Sequence, residues 1–152
     1  MNDEKETENG VRSNLPSQTI NNLLSTGNWV YEKSAEHLKQ FALSVEQYNV
    51  LLILEKLGET TANMSTIQNS MISKMSNTTR LVEKLRLKGL LTREQSQENR
   101  RKVEINITEK GILLLNEIEK SQILKEKEIV KNLTKRDLLT LNKLLNKMKP
   151  QI

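Results

Sequence analysis

Between Lys74 and Lys102 the chain carries nine basic residues against three acids, a local net charge of +6 in a protein whose total is +5. Cations at that density neutralise phosphates. The spacing of these residues and their polar neighbours separates four groups. Ser73, Lys74 and Ser76 place two hydroxyls and an ammonium on a short turn, suited to holding phosphate oxygens without reading sequence. Asn77, Thr78 and Arg80 follow within one helical turn, where arginine can grip guanine through two hydrogen bonds and asparagine can pair with adenine. Lys84 and Lys88, further along, are candidates for phosphate contacts or plain solvated positions. Arg100 and Arg101 stand side by side in a polar loop, so that one can enter a minor groove while the other holds a phosphate or the loop itself. The residues leave open which does which. A lysine-rich solvated face has the same composition, but here the charges coincide with a helical pattern and a hairpin pattern.

Catalytic chemistry finds no matching residues. The chain has no cysteine and one histidine, His37, set between Glu36 and Leu38. That excludes disulfides and thiolate metal sites, and a lone histidine supplies no convergent metal ligands. There is no glycine-rich phosphate loop. No enzyme activity, cofactor or metal is expected.

These residues need elements to hold them. Ser76 is the expected cap of a helix with apolar residues at Leu81, Val82, Leu85 and Leu87, stopped by Gly89. Two strands are expected at 90–94 and 103–107, joined by the loop that carries both arginines. A capping box of Ser65 with Gln68 opens a short helix to about Ile72, and the tight connection to the next helix makes a helix-turn-helix unit. Leu81, Leu85, Ile67 and Ile72 form the expected core of that unit. Upstream, Ser44 with Gln47 caps a helix bearing Tyr48, Leu51, Leu52, Leu54 and Leu57, closed by Gly58. Ahead of it a long helical stripe runs from Pro16 and Ser17 through Ile20, Leu24, Gly27, Tyr31, Ala35 and Leu38 to Phe41. Trp29, Tyr31 and His37 on that helix are core or interface positions and the candidates for lining a small-molecule pocket. Downstream, Thr108 caps a helix bearing Ile112, Leu115, Ile118, Ile123, Ile129 and Val130. Thr134 with Asp137 then starts a last helix with a stripe of Leu138, Leu141, Leu145 and Met148, and Pro150 ends it.

The organisation expected is therefore a disordered acidic stretch over 1–14, a dimerisation helix over 15–43, a winged helix-turn-helix over 44–108 and C-terminal dimerisation helices over 109–152. The class is mostly α with a small β-hairpin wing. At 152 residues, with 36% hydrophobic and 3% aromatic residues, the three long amphipathic helices carry more apolar stripe than one winged unit can cover. Burying a leucine or isoleucine is worth roughly 1.5–3 kcal/mol, so pairing with a second copy about a two-fold axis is the expected solution, with an intramolecular bundle as the alternative. No stretch is apolar enough to span a membrane, the N-terminus is unlike a secretory signal, and a cytoplasmic location is expected.

With its elements placed, the chain resembles the MarR family of bacterial transcriptional regulators from about Ser44 to Leu115. TTRLVEKLRLKGLLTR (78–93) is similar to that family's recognition helix and first wing strand, and NRRKVEINITEKG (99–111) to its wing. The family usually has Asp where this chain has Asn99, and that Asp braces a wing arginine by a salt bridge. The resemblance implies a homodimer whose two lobes bind a pseudo-palindromic operator in double-stranded DNA, usually as a repressor. It also implies a small-molecule effector bound between the dimerisation helices and the DNA-binding lobe. A reading from another class is a winged module that serves a protein partner; steeply salt-dependent duplex binding separates the two.

Overall fold

The computed structural model describes residues 14–150. Of the stretch expected to be disordered, all but Asn14 lies outside the described residues. Asn14 caps α1 (Leu15–Lys39), its side-chain oxygen accepting the Ser17 amide at 2.9 Å. The helix thus starts slightly ahead of the Pro16–Ser17 start expected from the sequence, because asparagine is a strong cap and proline fits the first helical turn. It ends before Phe41, in a turn where Ala42 takes φ 54°. Phe41 still packs against the core from outside the helix.

α2 (Val45–Leu57) begins with the expected capping box. The Gln47 amide donates to Ser44 Oγ at 3.1 Å and the Ser44 amide to Gln47 Oε1 at 3.0 Å. Gly58 ends α2 at φ 58°. α2 is the hub, packing on α1, on α3 (Met64–Ser70), on α4 (Thr78–Leu87), on α5 (Glu109–Ile129) and on the second wing strand. Val50 and Leu51 of α2 are fully buried, with Leu38, Ile67, Leu85 and Ile118 supplied by the helices around them. α6 (Lys135–Met148) starts from a capping box of Thr134 with Asp137, as the sequence predicts, and has no buried residue.

The short helix α3 corrects one sequence expectation. Its cap is Asn63, not Ser65: Asn63 Oδ1 accepts both the Thr66 amide at 2.8 Å and the Thr66 hydroxyl at 3.0 Å. Gln68 is thereby released from capping. α3 ends at Ser70, and Ile72 lies beyond it, exposed, rather than in the core as expected. Leu87 likewise faces outward. At the far end, α5 stops at Ile129 and Val130 is its C-cap.

The wing pairs β1 (Leu91–Gln95) antiparallel with β2 (Val103–Ile107), Leu91 opposite Ile107 and Gln95 opposite Val103. β1 starts one residue later than expected because Leu90 belongs to the junction. The periodicity also gives no hint of a third partner at the wing root, where the Ile105 amide donates to the Ala62 carbonyl at 2.8 Å.

At the junction Gly89 turns the chain at φ 74°. Thr108 Oγ1 donates to the Gly89 carbonyl at 2.7 Å, and the Thr108 amide to the Leu90 carbonyl at 3.1 Å. The same Thr108 hydroxyl caps α5 by accepting the Gly111 amide. A Cβ on Gly111 would stand 2.4 Å from the Leu90 carbonyl oxygen and 2.7 Å from Ile107 Cγ1. Neither neighbour is the loose end of a flexible side chain, so Gly111→Ala is expected to destabilise the fold by about 1–3 kcal/mol through overpacking. Chemical denaturation checks this; an unchanged midpoint would contradict the close packing.

Candidate nucleic-acid interface

The turn between α3 and α4 is fixed by side chains from both sides. Gln68 Nε2 donates to the Lys74 carbonyl at 3.0 Å, while Gln68 Oε1 accepts the Thr78 hydroxyl. Lys74 Nζ folds back to the Asn69 carbonyl, and the Ile72 amide donates to Asn49 Oδ1 of α2 at 3.0 Å. One glutamine amide thus ties the end of the turn to the first residue of α4. Sequence reasoning assigns Gln68 to a capping box and misses this role. A polar residue in the middle of so short a helix is the available signal.

Asn77, not Ser76, caps α4, its Oδ1 accepting the Arg80 amide at 3.1 Å. Asparagine and serine cap about equally well, and here α4 opens after Asn77, whose side-chain oxygen meets the third amide. The Ser76 hydroxyl is buried without a hydrogen-bond partner. Thr78 is buried and its hydroxyl is committed to Gln68. Ser76 borders the depression beside Asn77 with its hydroxyl unpaired, whereas the Thr78 hydroxyl is already held by Gln68.

The remaining residues face outward. Ser73, Met75, Asn77, Arg80 and Lys84 line an open depression of about 390 Å3 together with Glu46 of α2. The Arg80 and Lys84 side chains make no ion pair or side-chain hydrogen bond among the described residues. Two nearby cations are engaged elsewhere. Arg86 donates to the Glu83 carboxylate at 2.7 Å and 3.0 Å, and these bonds hold the Glu83 carboxyl below the usual carboxylate range. Lys88 Nζ reaches the Ala42 carbonyl in the left-handed turn before α2.

At the wing tip the chain closes around Asn99. Its side-chain oxygen accepts the Arg101 amide at 3.1 Å, its backbone carbonyl accepts the Lys102 amide at 2.8 Å, and the buried Ser96 donates its amide to the Lys102 carbonyl at 2.9 Å. A side-chain carbonyl accepting from two residues ahead is the asparagine turn. Asn99 therefore braces the backbone, where the resemblance implies an acid bracing a guanidinium. Arg100 and Arg101 stay exposed, with no ion pair among the described residues.

Trp29, Tyr31 and His37 do not come together. Trp29 sits on an open cleft of about 330 Å3 with Lys33, Lys125 and Glu128. The Tyr31 hydroxyl donates to Glu46 at 2.7 Å, which pushes its pKa up because the acceptor stabilises the protonated phenol. His37 is buried between α1 and α5, with Nε2 3.1 Å from Ser121 Oγ and its ring edge-on to Phe41. Within the single chain these three side chains line no common cavity among the described residues. Among the described residues no group of acids and histidines is placed to hold a metal, and no helix is long and apolar enough to cross a membrane.

The family model described as the MarR family matches residues 43–103. The HTH-type transcriptional repressor IacR of Pseudomonas putida is 33% identical over 119 residues, covering 76% of this chain and 68% of its own length. An uncharacterized HTH-type transcriptional regulator of Bacillus subtilis, YfiV, is 37% identical over 67 residues, 44% of this chain, and the match spans only 41% of that relative. Among solved structures, a mutant MarR from E. coli complexed with operator DNA superposes with a TM-score of 0.78 at 22% identity, over 91% of this chain and 100% of that one.

Replacing Gln68 by Ala leaves the buried Thr78 hydroxyl and the Lys74 carbonyl unpaired. An expected loss of about 1–3 kcal/mol follows from the unsatisfied buried group. Denaturant titration of Gln68→Ala measures it; an unchanged stability would remove Gln68 from the architecture of the turn.

Proposed function

The chain belongs to the MarR family of transcriptional regulators, and on that premise we propose that it is a repressor that binds a pseudo-palindromic operator as a homodimer. The observation that carries this reading is that two sets of uncommitted cations lie on elements locked together. Arg80 and Lys84 stand on α4, Arg100 and Arg101 on the wing, and the Gly89–Thr108 junction joins the two elements. In this reading Arg80 and Asn77 meet base edges in the major groove, with the Asn77 amide nitrogen as the donor since its oxygen caps the helix. Ser73 and Lys84 contact phosphates, and Lys74 adds its charge beside them while its ammonium holds the Asn69 carbonyl. Arg100 and Arg101 reach the flanking minor groove and backbone.

Dimerisation is supported by what the single chain leaves uncovered. Leu24 of α1, Leu124 of α5, and Leu139 and Leu144 of α6 are all exposed. A second copy that covers the terminal helices about a two-fold axis removes this apolar surface from water and presents two recognition helices to two half-sites. For a small-molecule effector, the cleft beside Trp29 is the opening that reaches both α1 and the C-terminal end of α5.

Fluorescence anisotropy with the DNA upstream of its own gene, against a scrambled duplex over a range of salt, tests the reading. Preferential binding with a steep negative salt slope is expected. Arg100→Ala and Arg101→Ala are each expected to make that slope shallower by about 1 for each phosphate no longer neutralised. Equal, salt-insensitive binding to both duplexes would contradict the function. Unchanged slopes in both variants would take the wing out of it. Asn99→Asp adds a carboxylate beside the two arginines and is expected to weaken binding most at low salt, where unscreened charges act furthest.

A further inference from the structure

Met75 is 95% exposed, although it sits between well-anchored neighbours. Met71, four residues earlier, is buried in the core. The turn around Met75 is fixed by the bonds from Gln68 to the Lys74 carbonyl and from the Ser76 amide to the Ser73 carbonyl. The side chain is thus held out from a braced backbone. Turns favour small or polar residues, so an unburied thioether here has no account in the packing of the chain. It lines the same depression as Asn77, Arg80 and Lys84, the side chains aimed at the duplex in the function proposed above. Ile72, the other apolar side chain exposed on the turn, does not line it.

We propose that Met75 is a specificity-determining residue that reads the C5-methyl group of a thymine in the major groove. The inference rests on the operator-binding reading. Arg80 and Lys84 outnumber Glu46, whose carboxylate accepts the Tyr31 hydroxyl, so the lining favours a polyanion, and the apolar feature that a base pair offers in the major groove is the thymine methyl. Methionine suits this contact because its unbranched, polarisable chain adapts to the position of the methyl. Arg80 and Asn77 in the same depression would supply the hydrogen bonds that fix the register, leaving Met75 to sense one methyl beside them.

The test uses the full chain to select a duplex from a randomised library, then replaces each thymine of the selected site by deoxyuracil, which lacks only the methyl. At one thymine per half-site the wild type is expected to lose affinity about fourfold, roughly the worth of burying one such carbon. Met75→Ala is expected to bind the thymine duplex as the wild type binds the deoxyuracil duplex, and to show no further loss on the substitution. Indifference of the wild type to every substitution overturns the inference while leaving the operator reading intact. So does a Met75→Ala protein that loses as much as the wild type, since another residue then reads the methyl. A change in oligomeric state of Met75→Ala by light scattering would assign the side chain to a contact between copies and overturn it as well. A chain that selects no duplex overturns both readings together.

Discussion

The helix α4, the wing and the long helix α5 meet where the Leu90 carbonyl accepts the Thr108 amide and Gly111 passes too close for any side chain. Three demands converge there. Gly89 must turn the chain at positive φ to leave α4, Thr108 must both tie back to that turn and cap α5, and Gly111 must let α5 seat against the strands. Because one hydroxyl and two glycines satisfy all three, the position of the wing relative to α4 is set by backbone contacts rather than by adjustable side chains. The cations of α4 and those of the hairpin are thus carried on elements held in a fixed relation. α5, which packs on α1 and α2, is joined to the same junction without a flexible link.

The interface itself separates side chains that build from side chains that remain available. Gln68, Thr78 and Lys88 are committed to bonds between elements, and Arg86 to the Glu83 carboxylate on its own helix. Arg80, Lys84, Arg100 and Arg101 have no such commitment among the described residues. The asparagine turn at Asn99 matters in this division, since it braces the wing tip without drawing a guanidinium into an ion pair. A tip held this way leaves both guanidiniums without an ion pair among the described residues.

Much of this is legible in the sequence where one physical signal dominates. The boxes at Ser44–Gln47 and Thr134–Asp137, the cap at Thr108, the stop at Gly58 and the strand over 103–107 all form as their residues dictate. Errors arise where two capping residues stand close together. Asn63 and Asn77 take the places expected for Ser65 and Ser76, because an asparagine carbonyl reaches the third amide as well as a hydroxyl does and the sequence cannot weigh them. Ile72 is misplaced in the core because apolar character says nothing of which side of a turn a residue leaves from. The bridge from Ala62 to Ile105 joins segments 43 residues apart and leaves no local trace. The dispersal of Trp29, Tyr31 and His37 is readable in principle: at roughly 100° per residue their directions span more than half the helix circumference.

The most direct measurement is a hydroxyl-radical footprint of the full chain on the duplex upstream of its gene, for the wild type and for the Arg100→Ala, Arg101→Ala double variant. Two protected patches related by a two-fold axis, spaced about one helical turn or a multiple of it, are predicted, each flanked by minor-groove protection that disappears in the double variant. One unpaired patch, or flanking protection that survives loss of both arginines, would contradict the account of a dimer reading DNA with helix and wing together.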